Sequence, residues 1–171
     1  MTPTWLDGDW RAPVTAPFQG NAAARTPALL ELVINQHQVE TAGRYARRDV
    51  TGDGIPETFC NVFARDCCRA LGVPLPDGMT ANQLVQWLAG VGRARGWEQV
   101  DLHVARAMVD EGQAVVPGWF NRNGGSGHIA IALPTHGEAG LHIAQAGRTN
   151  FARGLLARGF GDLQPTFFAH P

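Results

Sequence analysis

A thiol works as a nucleophile when a base stands within hydrogen-bond reach and a third group fixes the orientation of that base. Cys60, His128 and Gln145 have the residue types and the order for this chemistry. The stretch from Glu57 to Gly72 reads as one amphipathic helix with Cys60 in its first turn, because Val62, Phe63, Ala64, Cys67, Ala70 and Leu71 recur at helical spacing and Gly72 supplies a stop. A thiolate at a helix start meets unpaired amides and the positive end of the dipole. The thiol is therefore expected to ionise more readily than usual, and the same amides can hold a developing oxyanion. The competing reading of Cys60 is a buried structural thiol.

His128 opens a strand, His128 to Pro134, directly after the turn-rich loop Asn121-Arg122-Asn123-Gly124-Gly125-Ser126-Gly127. That position leaves its ring at the rim of a sheet, and Ala130 and Ala132 on the same face are small enough to admit the Cys60 helix. Three residues can orient the imidazole: Gln145, His142 and Asn150. Strand register decides between the first two. If His128 pairs across from Gln145, the amide oxygen accepts from the imidazole N–H, whereas a slip of one residue brings His142 to that face.

The elements that must position these groups follow from periodicity and punctuation. Residues 1–26, rich in Pro, Gly, Thr and Trp, read as an arm that packs through Trp5, Trp10 and Phe18 or is partly mobile. Thr26-Pro27 caps a helix expected to run to about Arg47. Thr80 caps a second over residues 81–89, and His103 to Asp110 form a third, with His103 itself solvated or capping. A short extended piece covers Trp97 to Val100. Strands are expected at 114–120, where Pro117 implies an edge or a bulge, at 128–134, at 141–147 and, closing the sheet, at 165–170. Residues 153–162 read as irregular. Helices first and a strand meander second make an α+β fold, with N-terminal helices packed on a small antiparallel sheet.

Asp49, Thr51, Asp53 and Glu57 place side-chain oxygen at positions one, three, five and nine of a loop with Gly54 at position six, and the carbonyl of Ile55 adds position seven. Such a set of hard oxygen donors around a sharp turn suits calcium. Cys60 stands where an EF-hand carries its bidentate Glu, so this is not an EF-hand; the loop is closer to compact nine-residue calcium loops. The alternative is a plain Asp/Gly turn. The chemistry itself requires no cofactor, and calcium here would be structural.

With 171 residues, 44% hydrophobic and 17% charged, the chain is sized for one domain, 27–171, carrying the 1–26 arm. A net charge of −1, with no basic cluster beyond Arg93-Ala94-Arg95, disfavours nucleic-acid partners. No apolar run reaches the roughly 18 residues of a membrane span. The first residues have neither the basic start nor the apolar core of a signal peptide, so synthesis in the cytoplasm is expected. Three cysteines, an odd number, argue against a disulfide framework, and Cys67 and Cys68, on the same helix as Cys60, read as helix-packing residues. A monomer is expected.

The segments Thr58-Phe59-Cys60-Asn61-Val62-Phe63 and Ser126-Gly127-His128-Ile129-Ala130-Ile131-Ala132 together resemble the cysteine and histidine motifs of papain-like peptidoglycan hydrolases of the CHAP and NlpC/P60 superfamily, most closely the amidases and endopeptidases of phage endolysins. The likeness covers roughly residues 30 to 170. It implies a papain-like fold, Cys60 as nucleophile, His128 as general base and Gln145 as the third group. It also implies peptidoglycan as substrate, with action on the cell wall after release or delivery, and it favours calcium at the Asp49–Glu57 loop. The expected bond is the N-acetylmuramoyl–L-alanine amide or one within the stem or cross-bridge peptide. The chain departs from the pattern in carrying a neutral Gln where many such enzymes have a carboxylate, which weakens an imidazolium ion pair. It also has Gly54 where papain-type enzymes place a glutamine six residues before the cysteine. The other readings on the same scaffold are a non-catalytic wall-binding module, a virion structural module, and a secreted antibacterial amidase toxin.

Overall fold

The computed structural model describes residues 1–21 and 24–171. The described residues form an α+β fold of five α-helices and two small antiparallel sheets. Helix α1, Pro27–Asn35, starts as its sequence requires: the Thr26 hydroxyl accepts from the Leu29 amide at 3.1 Å, and Pro27 occupies the first turn, where no amide is needed. It ends a dozen residues earlier than the periodicity suggests. The Gln36 side chain turns back to bond both backbone groups of Phe18, and Gln38 adopts a left-handed φ of 47° whose carbonyl is capped by the Thr41 and Ala42 amides. The chain then passes through a 3-10 turn, Gly43–Tyr45, that buries Tyr45.

Helix α2, Cys60–Ala70, is buried along almost its whole length. Glu57 is not part of it, because its backbone forms an antiparallel bridge with Arg48. Cys60 is thus the first helical residue, and Gly72, at a φ of 78°, ends the helix with the Val73 amide reaching back to Cys68. Helix α3, Ala81–Ala89, opens with a reciprocal capping box between Thr80 and Gln83. Helix α4, Leu102–Asp110, is capped by Asp101.

Strands β1 (Glu98–Val100), β2 (Ala114–Trp119), β3 (His128–Ile129) and β7 (Thr166–His170) form one sheet in the order β1-β7-β2-β3. Strands β4 (Ile131–Leu133), β5 (His142–Gln145) and β6 (Phe151–Leu155) form the other. Several expectations change here. The C-terminal strand does not close the sheet but lies inside it, between β1 and β2, and β2 is no edge strand. Pro117 explains why the expected strand 128–134 is divided. The Ala130 amide donates to the Pro117 carbonyl at 3.0 Å, but proline has no N–H to return the bond, so the ladder stops and the chain continues as β4 against β5. Residues 153–162 are not irregular: they complete β6 and form helix α5, Leu156–Phe160.

The arm is tied down. Asp66 on α2 accepts from Arg44 Nε at 2.7 Å, Tyr45 Oη at 2.9 Å and Arg65 Nη2 at 3.2 Å, with the Arg44 and Asp66 side chains fully buried. The same guanidinium groups donate to backbone carbonyls of the arm, Arg44 to Asp9 and Ala12 and Arg65 to Trp10. Trp10 is thereby held edge-on against Phe59 and Trp5 against the buried His37. Phe18, expected to pack, is exposed. Among the described residues no helix is long and apolar enough to cross a membrane.

Candidate active site

Cys60, His128 and Gln145 line one cleft of about 1240 Å³, bounded by α2, the loop 121–127, the turn after β5 and helix α5. Cys60 is only 4% exposed. The backbone amides of Ile129, Asn61 and Cys60 and the Thr58 hydroxyl bear on its sulfur and favour the thiolate, yet burial outweighs them and pushes the thiol up from its ordinary value. The expectation of a thiol that ionises easily is therefore overturned. Helix-start amides are present as foreseen, but the thiol has lost more hydration than they return.

His128 Nε2 lies 2.7 Å from Gln145 Oε1. This contact does not come from cross-strand pairing as expected, since β3 pairs with β2 and His128 sits opposite Trp119. It arises because the strand changes sheets and carries the ring over the end of β5. The tautomer follows from one further bond. Gln145 Nε2 donates to the Thr149 carbonyl at 3.1 Å, and that carbonyl can only accept, so Oε1 must be the atom facing His128. His128 Nε2 then carries the proton and Nδ1 keeps a free lone pair, the state a general base requires. Burial lowers the His128 pKa and the bond to Gln145 opposes that shift. With the thiol pushed up and the imidazole pushed down, both rest neutral near pH 7, and proton transfer must accompany attack.

The other two candidates for the third position are engaged elsewhere. His142 Nε2 meets Glu138 at 3.0 Å, and the Asn150 amide donates to the Val39 and Tyr45 carbonyls. Helix α5, which periodicity did not reveal, supplies contacts that the sequence reading missed. The Phe160 ring stands 4.8 Å from the His128 ring, and Gly159 packs directly on the Gln145 amide. Two glycines bracket that amide: a Cβ at Gly147 would come within 2.8 Å of Nε2, and one at Gly159 would collide with Oε1 and reach 2.7 Å from Ile143. Gly159→Ala is thus expected to displace Gln145 and lower turnover by roughly 10- to 100-fold, with a stability loss of about 1–3 kcal/mol from overpacking against buried Ile143, checked by paired rate and thermal measurements.

The pH profile carries a second prediction. The rate should fall on the acid side below pH 6.5, where His128 becomes protonated. Gln145→Leu removes the one contact that raises the His128 pKa, so its acid limb should move to lower pH while its plateau rate drops, both read from kcat/KM against pH. An unmoved limb would show that Gln145 does not bear on the base.

Compared with known protein families and with curated proteins, the chain matches none.

The loop 49–57 brings Asp49, Asp53 and Glu57 together, with one oxygen of each within 4.8 Å of the others. Gly52 and Gly54 take left-handed φ values of 81° and 82° to make the turn. The carboxylates also serve the loop's own hydrogen bonds: Asp49 accepts from the Thr51, Gly52 and Gly54 amides, Asp53 from Ile55, and Glu57 from Val50. Thr51 gives its hydroxyl to Glu57 at 2.9 Å, and Ile55 is exposed. The donor set is hard oxygen throughout and fits calcium, while the Asx-type bonds alone suffice to shape the turn.

Proposed function

We propose that this chain is a cysteine hydrolase of peptidoglycan, endolysin-like and papain-like in fold, that cleaves an N-acetylmuramoyl–L-alanine amide or a stem or cross-bridge peptide bond. The observation that carries this reading is the His128–Gln145–Thr149 hydrogen-bond chain, which fixes the tautomer of an imidazole lining the same cleft as a helix-start cysteine. His128 Nδ1 takes the thiol proton as Cys60 Sγ attacks the carbonyl carbon, and the amides at the start of α2 receive the charge on its oxygen. The imidazolium then returns the proton to the leaving amine, and the N–C bond breaks to leave an acyl-enzyme. Water, deprotonated by His128, hydrolyses the thioester and restores the thiol. Gln145 holds the ring throughout and takes no proton.

Calcium at Asp49, Asp53 and Glu57 would brace the segment that enters α2 and take no part in the chemistry. A bound ion at 100 times its Kd is expected to stabilise the fold by about 2.7 kcal/mol, seen as a rise in melting temperature that a chelator reverses.

A non-catalytic wall-binding module is the second reading, favoured by the depth of Cys60. Iodoacetamide labelling with peptide mapping separates the two. Modification of Cys60 ahead of the fully buried Cys67 and Cys68, lost in His128→Ala, supports the hydrolase; equal inertness of all three thiols supports the binding module.

A further inference from the structure

The cleft holds charged groups that the proposed chemistry does not use. On one side stand Asp53, Glu57 and Arg47, the last bonded to the Pro56 carbonyl. On the other are Arg148, in the turn after β5, and Arg158, on α5. Arg44, Arg65, Arg69 and Arg153 each pair with a carboxylate, whereas Arg148 and Arg158 have no carboxylate or hydrogen-bond partner among the described residues. Arg158 is held in place all the same. Its guanidinium carbon lies 4.4 Å over the Phe151 ring, and its stem passes Gly154 so closely that a Cβ there would come within 3.0 Å of Cδ. A guanidinium resting on an aromatic face uses none of its N–H donors in that contact, so the fork is positioned yet unengaged. The next two residues, Gly159 and Phe160, touch Gln145 and His128, so whatever Arg158 binds is registered to the reacting groups through a single turn of helix.

We propose that Arg158, assisted by Arg148, is the specificity-determining residue of this cleft and receives a carboxylate of a peptide substrate along the α5 wall. The proposal deepens the hydrolase reading and rests on it. Bidentate carboxylate recognition is what a preset guanidinium without a counterion is suited to, and an amidated peptide offers it no anion.

The test is calorimetry on Cys60→Ala, which keeps the cleft but cannot turn over. The probes are the synthetic tripeptide L-alanyl-γ-D-glutamyl-meso-diaminopimelate with free carboxylates and the same tripeptide amidated. The free acid should bind about 10-fold more tightly or better, a preference weakened by salt and abolished by adding Arg158→Gln, while Arg93→Gln, outside the cleft, leaves it intact. Equal affinity for both probes, no binding of either, or a preference that survives Arg158→Gln with Arg148→Gln would overturn the proposal. Wall digestion by the wild type reads the hydrolase separately. Fragments released without any carboxylate preference sink the arginine assignment alone. A preference in calorimetry without any digestion keeps the assignment as a binding site and sinks the hydrolase.

Discussion

His128→Ala is expected to lower amide cleavage by roughly 10²- to 10⁴-fold, the usual range for loss of a positioned general base. The argument rests on the resting protonation state. A thiol whose pKa burial has raised cannot supply much thiolate by itself near neutral pH, and the amides of Ile129, Asn61 and Cys60 only partly offset that burial. The proton must leave as the bond forms, and the free Nδ1 of His128 is the acceptor whose tautomer the Gln145 hydrogen bond secures. The ring is only half-buried and its main apolar neighbour is Phe160, so the fold should survive the change. Steady-state rates on soluble wall fragments, paired with a melting curve, check this. A loss smaller than about 10-fold would mean that Cys60 ionises without His128.

Asp66→Ala should be the most damaging substitution for stability, costing about 3–5 kcal/mol. It strands the fully buried Arg44 without a counterion, leaves the almost wholly buried Arg65 only Asp77 at 3.5 Å, and removes the acceptor of the Tyr45 hydroxyl. Against the roughly 5–15 kcal/mol that holds a domain of ordinary size together, that is a large fraction. The arm should loosen too, because the same guanidinium groups hold the carbonyls of Asp9, Trp10 and Ala12. Trp10, a wall of the cleft through its contact with Phe59, would then lose its seat. Denaturant unfolding gives the stability. Replacing Arg44 by Met alongside Asp66→Leu should recover part of the loss, since apolar residues remove the stranded charge. A loss under about 1 kcal/mol for Asp66→Ala would show that the cluster does not anchor the arm.

The helices with their own caps were legible in the sequence. Thr26-Pro27, Thr80 with Gln83, and Gly72 announce their boundaries through local hydrogen bonds that need no tertiary context. Cys60 in a first helical turn and His128 after a glycine-rich loop were legible from helical spacing and turn residues, without a capping side chain. What tertiary contacts decide was not. Helix α1 stops because Gln36 finds Phe18, and a strand divides because Pro117, a neighbour only in the folded sheet, withholds one hydrogen bond. Helix α5 has five residues, too short for a period to show, and its Arg158-Gly159 pair reads as a loop. The sign of the Cys60 shift was missed because helix-start amides are visible in a sequence and burial is not. Gln145 reached His128 as expected, though by a strand crossing between sheets and not by facing it across a ladder.

The most direct measurement is mass spectrometry of purified peptidoglycan after incubation with the wild type and with Cys60→Ala, each with calcium and with a chelator. The account predicts soluble fragments from the wild type alone, with new termini at a single type of amide bond and a free carboxylate on the acyl side. Fragments released equally by Cys60→Ala, or none from the wild type under either condition, would contradict it.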